Sequence, residues 1–199
     1  IGTLIEAQPK DLLEQAYALF KKELAHTDPA YADHVRLADL ALEDFAERFF
    51  ADRADADPFE WAATNLREAQ ANFDQEITVP WRYAILRMHE VLALIIPHLD
   101  EGALESFGKH LKPAFVDEYA SVPHLSIQRL LALHRAGHLD VIALGNDYRV
   151  ETHGAERGVN VVINGKRRHY NVFIDATGQR PLEADDFPFP TLLEQGIVM

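Results

Sequence analysis

The hydrophobic period of this chain changes once, near residue 140, and that change points to a fold in two parts. Before it, apolar residues recur at helical spacing; after it, they come in short runs and alternations of strand length. A length of 199 residues allows one domain, or one domain with part of another. It is also enough chain to bury a core without covalent staples.

The first part reads as helices throughout. Asp28-Pro29 and Asp57-Pro58 are helix starts, each an acidic cap followed by a proline that needs no N–H. They predict helices over 29–50 and 58–73, joined by a polar connector at 51–57. Pro9 plays the same part for a helix over 9–25. Pro80 opens a helix over 80–96, with Trp81, Ile85, Met88, Leu92 and Ile95 on one face. Leu86, Val91, Leu94 and Ile96 cover much of the rest, a pattern expected of a helix buried all round. Shorter helices follow over 101–111 and 113–120. Pro123 opens another, which Gly137 ends as a left-handed cap. Ile85, Leu92, Ile127 and Leu131 are the expected core anchors, on helices that pack on a sheet.

After Gly137, Val141-Ile142-Ala143-Leu144 reads as a strand covered on both faces. Residues 148–153 alternate. Residues 159–163 and 166–170 flank Asn164-Gly165, a strong signal for a tight hairpin. Val172-Phe173-Ile174-Asp175 then runs apolar into Ala176-Thr177-Gly178. Residues 180–190 read as an acidic, proline-containing loop, and 191–195 as one helical turn. One or two buried strands need neighbours on both sides, so the expected piece is incomplete by itself.

Composition removes several kinds of chemistry. The absence of cysteine excludes disulfides, thiolate metal sites and a cysteine nucleophile. A formal charge of −13 repels phosphate backbones. That argues against a winged helix built on the hairpin, despite the basic Lys166, Arg167 and Arg168 at its tip. No apolar run reaches the roughly 18 residues of a membrane span. The chain opens on Ile1 with no charged-then-apolar leader, which reads as an excised piece without a visible signal peptide, expected in the cytoplasm. The ten histidines form no His-Glu-x-x-His; His134 and His138 are four apart but separated by Gly137. No Gly-x-Ser-x-Gly, Gly-x-Gly-x-x-Gly or Gly-Lys-Ser/Thr occurs. Glu43-Asp44, Asp117-Glu118 and Asp185-Asp186 read as solvated faces and loops.

Two blocks carry a resemblance. One runs from Phe107-Gly108-Lys109-His110-Leu111-Lys112-Pro113-Ala114-Phe115 through Pro123 to the stretch from Leu130 to Val141. The other is Val172-Phe173-Ile174-Asp175-Ala176-Thr177-Gly178-Gln179-Arg180-Pro181. Together they resemble the FAD/NAD(P)-binding oxidoreductases related to the flavin-dependent N-hydroxylating monooxygenases, over residues 80–199. The first is similar to a helical stretch before a strand of the nucleotide-binding sheet. The second is similar to the Ala-Thr-Gly segment beside the cofactor. The resemblance implies an α+β piece: a mostly helical N-terminal two-thirds, then a β-meander and strands belonging to an α/β, Rossmann-like sheet. Residues 1–79 would be a helical insertion or cap, 80–139 the helices on the sheet, and 140–199 the meander and the Asp-Ala-Thr-Gly strand.

It also implies FAD and NAD(P)H in the parent protein, with the chemistry carried by the flavin and no catalytic side chain assigned. Asp175, Thr177 and Gly178, with Gln179 and Arg180 beside them, are the implied cofactor-binding residues. The N-terminal FAD fingerprint and a Gly-rich NAD(P) loop are absent, so the piece alone is expected to be inactive and to retain no cofactor. Its expected partners are the rest of the parent chain and a small-molecule substrate, with neither nucleic acid nor membrane. The alternative is a non-catalytic, acidic helical module that binds a basic protein.

Overall fold

In a computed structural model, the described residues are all but 8, 146, 153–157, 177, 179–187 and 197–199, together with the side chain of Leu193. The chain divides into two compact units, Ile1–Val141 and Ile142–Met199.

The first unit is helical: α1 (Gly2–Ala7), α2 (Leu12–Thr27), α3 (Pro29–His34), α4 (Phe45–Ala54), α5 (Pro58–Asp74), α6 (Pro80–Leu92), α7 (Glu101–His110), α8 (Lys112–Tyr119) and α9 (His124–Arg135). The Asp-Pro starts work as their chemistry requires. The Asp57 carboxylate accepts from the backbone N–H groups of Phe59 and Glu60 at 2.9 Å each, and Asp28 accepts from Tyr31 at 3.0 Å. Asp100 caps α7 in the same way. Gly137, at φ +72, closes α9: its N–H reaches the His134 carbonyl, and that of His138 reaches the Leu133 carbonyl.

The helix expected over 29–50 is broken. Arg36 lies in the left-handed region at φ 54 and Leu40 is extended, with a single 3-10 turn (Leu37–Asp39) between them. The break folds the chain back onto α2. The Tyr17 hydroxyl donates to the Leu40 carbonyl at 3.2 Å, and Lys21 Nζ to the Ala38 carbonyl at 3.0 Å. Tertiary hydrogen bonds here outweigh a local helical pattern. The expected 51–57 connector is correspondingly shorter, because α4 continues to Ala54.

The core of this unit is built on rings. Phe20 meets Phe45 edge-on at 5.3 Å and Phe115 at 5.7 Å, and Tyr17 meets Phe45 at 5.9 Å. Helix α6 ends at Leu92, ahead of Pro97, which falls inside a second 3-10 turn (Ile96–His98). Ile85, Met88, Leu92 and Ile95 are buried, but Leu86, Val91 and Leu94 are exposed. The helix is therefore one-sided rather than buried all round. Its buried face meets α2 and α8, and α9 meets α5. Leu131 is buried and Ile127 half-buried. Between α5 and α9, the Phe59 ring stacks on His134 at 3.5 Å.

The second unit holds a three-stranded antiparallel meander, β1 (Tyr148–Glu151), β2 (Val159–Ile163) and β3 (Lys166–Tyr170), and a short helix α10 (Pro190–Glu194). Ile163 pairs with Lys166, so Asn164-Gly165 forms the two-residue turn, both residues at positive φ (50 and 74). In β2, Val159, Val161 and Val162 are buried. Gly158 is required where it stands: at φ +103, a Cβ would overlap the Tyr170 carbonyl oxygen.

Two segments expected to join a sheet completed by the rest of the parent form no strand here: residues 141–144 and 172–174. Val141, Ile142, Leu144, Val172, Phe173 and Ile174 are all exposed, Ile174 at 81%. A strand exists only through its ladder partners, and the described residues supply none to either segment.

Candidate functional site

The expected cofactor-contacting segment is only partly described. Thr177, Gln179 and Arg180 lie outside the described residues. Asp175 is exposed, and Gly178 is exposed at φ +89, a conformation that suits glycine, with no described residue within 4 Å of the place a Cβ would take.

The helical unit contains a site that the sequence reading did not identify. It is a cleft of about 710 Å³ between α3, α4, α5, α6 and the segment from α8 to α9. Its wall is a run of rings. Tyr31 stacks on Trp81 at 4.2 Å, nearly parallel, and Phe49 meets Trp81 edge-on at 6.0 Å. Trp61, half-buried, also lines the cleft and stacks on no other ring among the described residues.

Several polar groups of the lining are already engaged. His34 Nε2 lies 2.7 Å from the Asp52 carboxylate, and Arg53 donates to Asp117 at 2.7 Å. Arg48 donates to the backbone carbonyls of His34 and Val35. Arg82 is different. Its guanidinium lies over the Trp81 ring at 4.9 Å, and its one hydrogen bond among the described residues is long, 3.4 Å from Nη2 to Asn65 Oδ1. Its Nε is enclosed and finds no hydrogen-bond partner among them. Among the described residues it forms no ion pair.

Two groups of the cleft are displaced from their ordinary protonation behaviour. Burial raises the Glu118 carboxyl, with Asp117 adding to the effect and Arg82 and Arg53 opposing it. Burial also raises the Tyr31 hydroxyl, helped by Glu118 and Asp52. Tyr31 therefore stays a neutral donor at physiological pH. Trp81 had been visible as an apolar face residue, whereas Asp117 and Glu118 read as a solvated pair. Asp117 is exposed, as expected, and is paired with Arg53, whereas Glu118 is half-buried. No local pattern announces this, because the partners are 64 residues apart in the case of Arg53 and Asp117.

Among the described residues no group of three or more His, Asp or Glu is placed to hold a metal ion, and no helix is long and apolar enough to cross a membrane.

Residues 1–119 match the family described as the YdhS-like middle domain, and the chain belongs to that family. It is 42% identical, over 191 residues, to a protein of Escherichia coli K12 that carries the name uncharacterized protein YdhS. The match covers 96% of this chain and 35% of that protein, so the chain spans about a third of its relative's length. No solved structure matches the chain significantly.

Proposed function

We propose that this chain is the middle part of an FAD- and NAD(P)H-dependent oxidoreductase, monooxygenase-like in its chemistry and cytoplasmic. The helical unit is its substrate-binding cap. The second unit contributes a strand and turn to a nucleotide-binding sheet completed by the rest of the parent protein. The observation that carries this reading is the exposed apolar run Val172-Phe173-Ile174 leading into Gly178 at φ +89. Such a run is costly in water, since burying each large apolar side chain is worth about 1.5–3 kcal/mol. A sheet that flanks it would recover that energy. It would also bring the following turn to the carboxyl end of a strand, where doubly wound folds bind their ligands.

Asp175, Thr177, Gly178, Gln179 and Arg180 are the residues of this chain proposed to face the cofactor. An open glycine turn suits one edge of a dinucleotide. The chain has no Gly-rich phosphate turn, so the rest of the parent must hold the phosphates. FAD, when bound, would supply the electron transfer, and the residues proposed to face it would orient it.

The test is the visible spectrum of the purified full-length protein. Flavin bands that bleach on addition of NADPH support the reading. A colourless protein that takes up no added FAD overturns it in favour of an acidic module that binds a basic protein.

A further inference from the structure

We propose that the cleft of the helical unit binds a small aromatic monocarboxylic acid, with Arg82 as the anion-binding residue and Trp61 as the face for its ring. The inference is independent of the flavoprotein reading, because it rests on the helical unit alone.

Three observations converge on it. The first is capacity: about 710 Å³ lies within the range of pockets that enclose a small organic ligand. The second is the state of Arg82. A guanidinium has five N–H donors in a fixed fork. Here a single donor is used, in a bond stretched to 3.4 Å, while the ring of Trp81 holds the group in place. Each of the other cations of the lining already has a close acceptor. Arg53 has Asp117, and Arg48 has two carbonyl oxygens. A carboxylate is the planar, two-oxygen acceptor that the fork fits.

The third is an unused ring in the same lining, that of Trp61. Asn65 ties the α5 backbone beside it to Arg82. It lies one turn beyond Trp61 on α5, donates to the Trp61 carbonyl at 3.1 Å, and offers Oδ1 to Arg82. A ligand with its carboxylate on Arg82 therefore has an aromatic face within the same cleft.

Charge favours one negative charge over two. The lining sets three arginines against four carboxylates. A phosphate dianion would enter a region with no surplus of positive charge. A monocarboxylate needs one cation with N–H donors to spare, and Arg82 has them, although its charge already acts on Glu118 in the same lining.

Isothermal titration of the full-length protein, without added nucleotide, tests this with three probes: trans-cinnamate, its neutral amide and phenyl phosphate. Cinnamate is expected to bind at least about tenfold more tightly than either of the others. Arg82→Gln should abolish the preference for acid over amide, and Arg82→Lys should reduce it, because charge remains and the fork is lost. Equal binding of acid and amide, tighter binding of phenyl phosphate, or no heat with any probe would overturn the proposal. If Arg82→Gln fails to fold, Arg82→Lys and the comparison of probes on the unaltered protein decide it.

Discussion

The two units bury their apolar residues to very different degrees. In Ile1–Val141, Phe45, Phe115, Leu13, Leu24 and Ile85 are almost wholly excluded from water, and successive helices close over one aromatic cluster. In Ile142–Met199, three valines of β2 are the buried apolar residues among those described, while Val172, Phe173 and Ile174 are open to solvent. The difference teaches how each kind of structure is completed. A helix satisfies its backbone by itself and needs only a face to bury. A strand needs neighbours for its backbone as well, and no amount of side-chain hydrophobicity replaces them.

The sharpest way to break this comparison is to empty the helical core. Phe45→Ala should cost about 3–5 kcal/mol, because the side chain is fully buried among Tyr17, Phe20 and Phe49. Chemical denaturation of the full-length protein measures it, and a cost below about 1 kcal/mol would deny the cluster its role. Leu131→Ala should cost about 2–5 kcal/mol, toward the lower end, since Leu131 is buried outside the main core cluster with 9% of its surface exposed. An unchanged melting temperature would contradict its placement between α9 and α5.

In the second unit the corresponding change is smaller. Val161→Ala should cost about 1–2 kcal/mol, the transfer energy of about two methylene groups from a three-stranded sheet. A loss as large as that of Phe45→Ala would mean that β2 belongs to a much deeper core than the meander alone provides.

The smallest effect is a matter of sign. The Glu118 carboxyl is held above its ordinary value of 4.5, chiefly by burial. The folded state thus binds that proton more tightly than the unfolded state does. The stability it contributes is complete below about pH 4.5 and falls as the pH rises through the raised folded value. Glu118→Gln should raise the melting temperature at pH 7 and leave it unchanged at pH 4. A fall at pH 7 would show that the charged form is the one stabilised.

Much of this architecture is legible in the residues. Asp-Pro pairs start α3 and α5, Gly137 ends α9, and Asn-Gly turns β2 into β3; each is a local rule with a local cause. The fold at 35–44 is not legible, because Arg36 adopts a left-handed conformation with no glycine to announce it. Its reason is tertiary, in the bonds of Tyr17 and Lys21 to that segment. The cleft is illegible for the same reason. Trp61, Asn65, Arg82 and Glu118 lie on three helices, and nothing in their spacing marks them as neighbours. The runs at 141–144 and 172–174 carry the pattern of buried strands, and pattern alone does not supply the ladder.

Those runs give the most direct test. In the full-length protein, hydrogen exchange followed by mass spectrometry reads the amides of residues 141–144 and 172–176. If they are strands of a sheet completed by the rest of the parent, their exchange should be slowed about a hundredfold or more relative to an unstructured chain. Exchange at the unstructured rate would contradict the account, leaving both segments as surface loops and removing the turn at Gly178 from any nucleotide-binding sheet.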